Sequence, residues 1–248
     1  MFFIIKKIIN INSIKNKYLW LSASIIFFFS GIIYLLYFTN CFVLREIKVL
    51  NNKKITEKEI IELTGLRGGE RLFSIPVKKI KEKILLNPKI EEVIIVRHLP
   101  STLEIKVKER EPLAIITQNN KGYLIDKKGV IIDTILPEDY QFYPVIEIKN
   151  EEFKDKFLNF LDWLKNQKNY LPVYENLAKI SLEEDKIVFI TKNNIKIYFP
   201  LISEKDWTYF YKNLDKIMAY LYERDLIEKV ELIRLDYPLG SALIKFRG

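Results

Sequence analysis

The first feature along the chain is an apolar run without a charge. Leu19 to Phe38 reads LWLSASIIFFFSGIIYLLYF, twenty residues. At 1.5 Å per residue a helix of that length spans about 30 Å, the thickness of a bilayer's hydrocarbon core. Tyr18 and Trp20 sit at one end and Tyr34, Tyr37 and Phe38 at the other, the depths where amphipathic rings favour the headgroup boundary. The pattern predicts an uncleaved transmembrane helix over 19–38 behind a tail over 1–18. A cleaved signal peptide has a shorter apolar core followed by a small-x-small site, and no Ala-x-Ala follows here. Lipidation at Cys41 fits poorly with Asn40 immediately before it.

The periodicity then changes. Phe42–Leu50 alternates apolar and polar residues, which predicts a half-buried strand. Thr56-Glu57-Lys58-Glu59 is a capping box, followed by Ile60, Ile61 and Leu63 at helical positions and by Gly65, which suits a left-handed stop. Beyond the Gly68-Gly69 loop, Pro76 suits the first turn of a second helix with Val77, Ile80, Ile84 and Leu85 facing inward, ended by Asn87-Pro88. Strands follow at Ile90–Val96 and Thr102–Glu109, joined by a turn over Arg97-His98-Leu99-Pro100-Ser101. The order is strand, helix, helix, strand, strand, with two helices covering one face of a three-stranded sheet.

From Pro112 the texture shifts to short strands: Leu113–Gln118, Gly122–Asp126, Val130–Thr134 and Pro144–Ile148, with Asp126-Lys127-Lys128-Gly129 as a tight turn. A helix is predicted over 151–166, with Phe153, Phe157, Phe160, Leu161 and Leu164 on one face. Strands at Ile180–Leu182, Ile187–Thr191 and Ile195–Phe199 lead to a second helix from Ser203. Its stripe of Trp207, Phe210, Tyr211, Leu214, Ile217, Met218 and Leu221 reads as core. Strands Val230–Asp236 and Ser241–Phe246 close the chain.

Charge sharpens the membrane reading. The net charge is +8. Before Arg45 the only charged residues are Lys6, Lys7, Lys15 and Lys17, all on the N-terminal side of the apolar run. That asymmetry predicts an N-terminus in the cytoplasm and the rest carried across the membrane. The other basic residues, such as Lys78, Lys79, Lys81 and Lys83 around Glu82, lie on an amphipathic helix pattern rather than on a nucleic-acid-binding stripe. One cysteine excludes an internal disulfide, and one cysteine with one histidine leaves little material for a metal site.

Candidate chemistry is sparse. The only available histidine base is His98, placed in a hairpin turn, and no G-x-S-x-G elbow is present. Gly65-Leu66-Arg67-Gly68-Gly69-Glu70 lacks the Lys-Ser/Thr of a phosphate-binding loop and follows a helix instead of a strand. The pairs Glu91-Glu92 and Glu183-Glu184 read as solvated carboxylates. A catalytic role is not expected, and no cofactor is expected.

The string from Val96 to Ala114 resembles the FtsQ/DivIB family of bacterial cell-division proteins, with Arg97, Pro100, Thr102, Leu103, Ile105, Val107, Glu109, Pro112 and Ala114 matching its pattern R-x-x-P-x-T-L-x-I-x-V-x-E-x-x-P-x-A. Three further stretches are similar: Gly65-Leu66 through Leu72-Phe73-Ser74-Ile75, then Tyr123-Leu124-Ile125-Asp126-Lys127-Lys128-Gly129-Val130, and Arg234-Leu235-Asp236-Tyr237-Pro238-Leu239-Gly240. In the first, Arg71 and Pro76 replace the family's asparagine and aspartate. In the last, acid and arginine have exchanged places.

The resemblance implies an α+β architecture: an N-terminal transmembrane helix, a small βααββ POTRA domain over 42–111, and a mixed-sheet β domain with flanking helices over 112–248. It also implies a non-catalytic divisome scaffold in the inner (cytoplasmic) membrane, with its ectodomain outside the cytoplasm at the division septum. Its implied partners are FtsB/FtsL-like proteins and septal peptidoglycan synthases, with neither nucleic acid nor a small-molecule substrate. A chain ending two residues after Phe246 is expected to be the shorter, FtsQ-like form.

A terminal strand can leave an open edge, to which a partner strand adds through backbone hydrogen bonds. Ser241, Leu243, Lys245 and Phe246, with Tyr237, Leu239 and Gly240 at the preceding turn, are the expected partner-binding residues. Arg97, Pro100, Thr102, Leu103, Glu109 and Pro112 are expected to be structural. A POTRA-type chaperone or assembly module for secreted or outer-membrane proteins is the alternative, and a membrane-tethered enzyme the third reading.

Overall fold

The computed structural model describes residues 18–35, 42–148, 151–183, 186–200, 203–235 and 241–248. Helix α1, Tyr18–Leu35, is apolar, and none of its residues is buried against the protein. It is long and apolar enough to cross a membrane. The expected helix end at Phe38 lies outside the described residues.

Contacts divide the chain into two compact units, Met1–Glu109 and Arg110–Gly248. In the first, strand β1 (Glu46–Leu50) is followed by α2 (Glu57–Thr64), α3 (Val77–Leu85), β2 (Ile90–His98) and β3 (Thr102–Glu109). The sheet order is β1-β3-β2, with β1 parallel and β2 antiparallel to the central strand. Thr56 caps α2 by accepting the Glu59 N–H at 3.2 Å, and Gly65 ends it at φ 72°, a left-handed conformation that a side chain would strain. Ile60, Ile80 and Ile84 from the helices pack with Leu103, Ile105 and Val107 of the sheet. Each such fully buried side chain is worth about 1.5–3 kcal/mol over an exposed one.

Three expectations need correction here. Leu85 is 37% exposed rather than inward. It lies 100° around the helix from Ile84, off the buried stripe. Arg97 and His98 belong to β2, because the antiparallel ladder continues to His98↔Thr102 and leaves only 99–101 to turn. The first strand starts at Glu46, since Val43 makes an isolated bridge to Arg71 before the chain joins β3.

Among the described residues the second unit is built on nine strands. These are β4 (Ala114–Gln118), β5 (Lys121–Ile125), β6 (Ile131–Thr134), β7 (Val145–Ile148), β8 (Leu177–Glu183), β9 (Lys186–Thr191), β10 (Lys196–Pro200), β11 (Val230–Arg234) and β12 (Leu243–Phe246). Their order is β12-β11-β10-β9-β8-β7-β4-β5-β6. The hairpins pair antiparallel, while β4/β7, β7/β8 and β10/β11 pair parallel. A parallel neighbour needs a crossover of a dozen or more residues. Helices α4 (Lys154–Asn166) and α5 (Glu204–Glu223) lie in two of those crossovers.

Both helices bury their apolar stripes in one core with the sheet. At its centre the Phe160 ring lies 5.2 Å from Trp207, 5.5 Å from Phe199 and 6.0 Å from Phe189. Two tyrosines are buried there with partners: the Tyr174 hydroxyl donates to the Leu113 carbonyl and the Tyr211 hydroxyl to that of Pro172. Burial raises both phenol pKa values, so the hydroxyls remain donors.

Candidate functional site

Among the described residues β12 pairs on one side only, with β11, and so forms an edge of the large sheet. The register is Arg234↔Leu243, Ile233↔Ile244, Leu232↔Lys245 and Val230↔Phe246, with an irregularity between Val230 and Leu232. Ile244 packs against the core. Leu243 and Phe246 are 41% and 44% exposed. Lys245 pairs with Glu231 at 2.8 Å. Beyond the strand, the Arg247 N–H donates to the Lys229 carbonyl at 2.7 Å, and its guanidinium donates to the carbonyls of Asn193 and Asn194 at 3.0 and 3.2 Å. These contacts hold a four-residue strand that has a single neighbour.

Two strands in from that edge, Tyr198 of β10 carries two cations on its ring, Lys196 at 4.8 Å and Arg234 at 5.0 Å. Of the expected partner-binding residues, Leu243, Lys245 and Phe246 lie on the edge strand and Ser241 is exposed just before it. Tyr237, Leu239 and Gly240 lie outside the described residues.

The motif residues run from the end of β2 through β3 to the start of the second unit. Arg97 donates through Nε to the Leu72 carbonyl at 2.9 Å and through its terminal nitrogen to that of Ile75 at 2.8 Å. Pro100 lies in the short loop, the Thr102 hydroxyl donates to Glu46 at 3.3 Å, and Leu103 is fully buried. The Glu109 carboxylate accepts the backbone N–H groups of Lys53, Lys54 and Ile55 at 2.6–3.1 Å. Burial works to raise its pKa, but the three donors outweigh it and leave the group below its ordinary value. The Pro112 carbonyl accepts from the Lys165 ammonium at 2.7 Å.

Sequence reasoning missed the buried pair of Arg110 and Asp126, whose side chains meet at 2.6 Å. Asp126 also accepts the N–H groups of Lys128 and Val130, the bonding of an Asx turn. An aspartate three residues before Gly129 was the available signal.

A cleft of about 430 Å³ opens where β4 and β7 diverge, over Ile116, Ile146 and Ile148. Glu147 pairs with Lys179 at 2.6 Å and Glu151 with Lys154 at 3.0 Å on its margin. These are mutually neutralised charges rather than a nucleophile and its base. His98 is half-exposed against Glu104 at 3.2 Å, and Lys106 reaches the same carboxylate at 3.0 Å. Among the described residues no cluster of three His, Cys, Asp or Glu side chains could hold a metal.

The βααββ order and the three-stranded sheet define a POTRA-type module. Residues 42–110 match the family described as POTRA domain, FtsQ-type. Part of the chain is similar to proteins named FtsQ and DivIB, both described as cell division proteins. It is 37% identical over 116 residues to cell division protein FtsQ of Geotalea daltonii, covering 46% of this chain and 41% of that protein. It is 32% identical over 152 residues to FtsQ of Geobacter sp. (strain M21), covering 60% and 54%. It is 36% identical over 92 residues to cell division protein DivIB of Clostridium acetobutylicum, covering 37% of each. The matched stretches thus span about half the length of these relatives, or less. The major extracytoplasmic domain of DivIB from Geobacillus stearothermophilus is similar over 47% of this chain and 97% of that one, with 13% identity and a TM-score of 0.33.

Proposed function

We propose that the chain is a non-catalytic scaffold of bacterial cell division, held in the cytoplasmic membrane by residues 19–38 with residues 1–18 in the cytoplasm. Outside the cytoplasm, a POTRA domain over 42–111 and an FtsQ-type β domain over 112–248 work at the septum. The partners are FtsB/FtsL-like membrane proteins, and through them septal peptidoglycan synthases. The partner site comprises Tyr237, Leu239, Gly240, Ser241, Leu243, Lys245 and Phe246.

The observation that carries this reading is the one-sided pairing of β12 in a chain similar in part to FtsQ and DivIB. An unpaired ladder edge offers a row of N–H and C=O groups to an extended segment, while alternate side chains supply specificity. Such recognition needs neither a nucleophile nor a metal.

Co-purification of the tagged full chain with FtsB/FtsL-like proteins tests the site. Phe246→Pro removes a donor from the outer flank, since the N–H of the next residue, Arg247, bonds inward to Lys229 just before β11, and Leu243→Asp charges the exposed side chain. Both variants should lose partner recovery at least several-fold while their circular dichroism and thermal melts stay unchanged. Undiminished recovery in a folded variant would move the site elsewhere. A fluorescent fusion should gather at midcell, and uniform membrane fluorescence would count against the division role.

A further inference from the structure

Three separated segments meet at one end of the first unit. Residues 42–46 bring the chain in, 67–75 form the loop between α2 and α3, and 97–101 include the β2–β3 turn. Backbone hydrogen bonds join the first two through Leu44 with Gly69 and Glu70, at 2.9 and 2.8 Å. The Ser101 carbonyl accepts the Arg45 and Glu46 N–H groups at 2.9 and 3.3 Å. Arg97 ties the turn to the loop through the carbonyls of Leu72 and Ile75. The register Glu46↔Thr102↔His98 puts the start of β1 and the turn at the same end of the sheet.

The exposed side chains on these segments include apolar groups and arginines. Phe73 and Leu99 are 40% and 60% exposed, and the Phe73 ring meets Phe42 edge-on at 5.4 Å. Arg45, Arg67 and Arg71 are also exposed. The acids there are Glu46, which faces Lys48 at 3.6 Å, and Glu70. The Glu70 carboxylate accepts the Arg67 N–H at 2.8 Å and is only partly exposed. Apolar groups among cations suit the boundary between anionic headgroups and acyl chains.

The chain supplies the proximity. Leu35, the last described residue of α1, is seven residues before Phe42, a reach of at most about 25 Å. A surface tethered so closely meets the membrane at high effective concentration.

We infer that this end of the POTRA domain, with Phe73, Leu99, Arg45, Arg67 and Arg71, is a contact surface for an anionic phospholipid bilayer. The inference rests on the proposed membrane anchoring by α1. Leu99 and Phe73 enter the headgroup layer, and each arginine adds about five-fold to partitioning at low salt. The contact fixes one end of the domain to the lipid and leaves the opposite end in water. Leu86 marks that opposite end: it follows α3, just before Ile90 starts β2, and is 82% exposed.

Site-specific quenching in the full chain tests this. In a Cys41→Ser background, single replacements Leu99→Cys, Phe73→Cys and Leu86→Cys carry an environment-sensitive fluorophore. The labelled chains are reconstituted into vesicles of equal parts phosphatidylglycerol and phosphatidylcholine containing a headgroup-nitroxide lipid. Quenching should be several-fold stronger at 99 and 73 than at 86. It should weaken in phosphatidylcholine alone, in high salt, and in the Arg67→Glu, Arg71→Glu double variant. Equal quenching at 99 and 86 in a chain that resists alkaline carbonate would overturn the inference and leave the anchor standing. A fluorophore at 99 shielded from water but untouched by lipid quencher would mean that protein covers this end, and would overturn it too. Release by carbonate would remove the anchor and the lipid contact together.

Discussion

The Arg110 guanidinium donates to the Asp126 carboxylate at 2.6 Å where both side chains are nearly out of solvent. The other oxygen of Asp126 accepts the N–H groups of Lys128 and Val130, so one side chain closes the β5–β6 turn and neutralises the first residue of the second unit. Asp126→Ala leaves a buried cation unpaired and should cost about 3–5 kcal/mol. Asp126→Asn retains the turn bonds and should cost less. Urea denaturation of the two variants would order them, and equal losses would refute the role assigned to the turn bonds.

Glu109 makes the first unit sensitive to acid. Its folded pKa lies below the ordinary carboxylate value, so its stabilisation is present above the unfolded pKa, near 4.5, and is lost as pH falls through the folded value. Lowering the pH from neutral into that range should reduce the urea midpoint. Glu109→Gln should be weaker by roughly 1–3 kcal/mol at neutral pH and should show a shallower acid dependence. Glu70 and Glu104, also held below their ordinary values, account for part of the remaining slope. Parallel acid profiles for the variant and the parent would contradict this assignment.

Arg97 holds the loop before α3 through two carbonyls. Arg97→Ala should speed amide exchange at Ser74 and Val77, whose N–H groups bond to the Arg71 and Ile75 carbonyls within that loop. Arg97→Lys should rescue little, because an ammonium lacks the planar fork that reaches both acceptors. Unchanged exchange in the alanine variant would show the loop to be self-supporting.

Phe160 sits among the rings of Trp207, Phe199 and Phe189. Phe160→Ala should destabilise the protein by about 3–5 kcal/mol through lost burial and the cavity left behind. Phe160→Leu should recover part of that. Thermal denaturation would separate the two, and a loss under 1 kcal/mol for the alanine variant would fall well below the range for a well-packed core aromatic.

Local periodicity made most elements legible. The stripe from Trp207 to Leu221 names the buried face of α5, and Gly65 marks the end of α2 through its backbone freedom. Sheet order was not legible, because alternation fixes which face of a strand is buried but not which strand lies beside it. Nothing in Ile195–Phe199 or Val230–Arg234 states that β10 and β11 run parallel across α5. The edge position of β12 follows from that order. The Arg110–Asp126 pair escaped notice because ion pairs across sixteen residues carry no periodic signature.

Every other described strand of the large sheet precedes β12 along the chain, and its one neighbour among the described residues, β11, joins the sheet only after α5 has crossed over. A polypeptide delivered N-terminus first therefore completes its aromatic interior before this ribbon can settle. A companion that recognised the ribbon's free flank would meet finished molecules alone. Recognition at that place would double as an inspection step, in which half-made or misfolded copies fail to present the surface and are passed over.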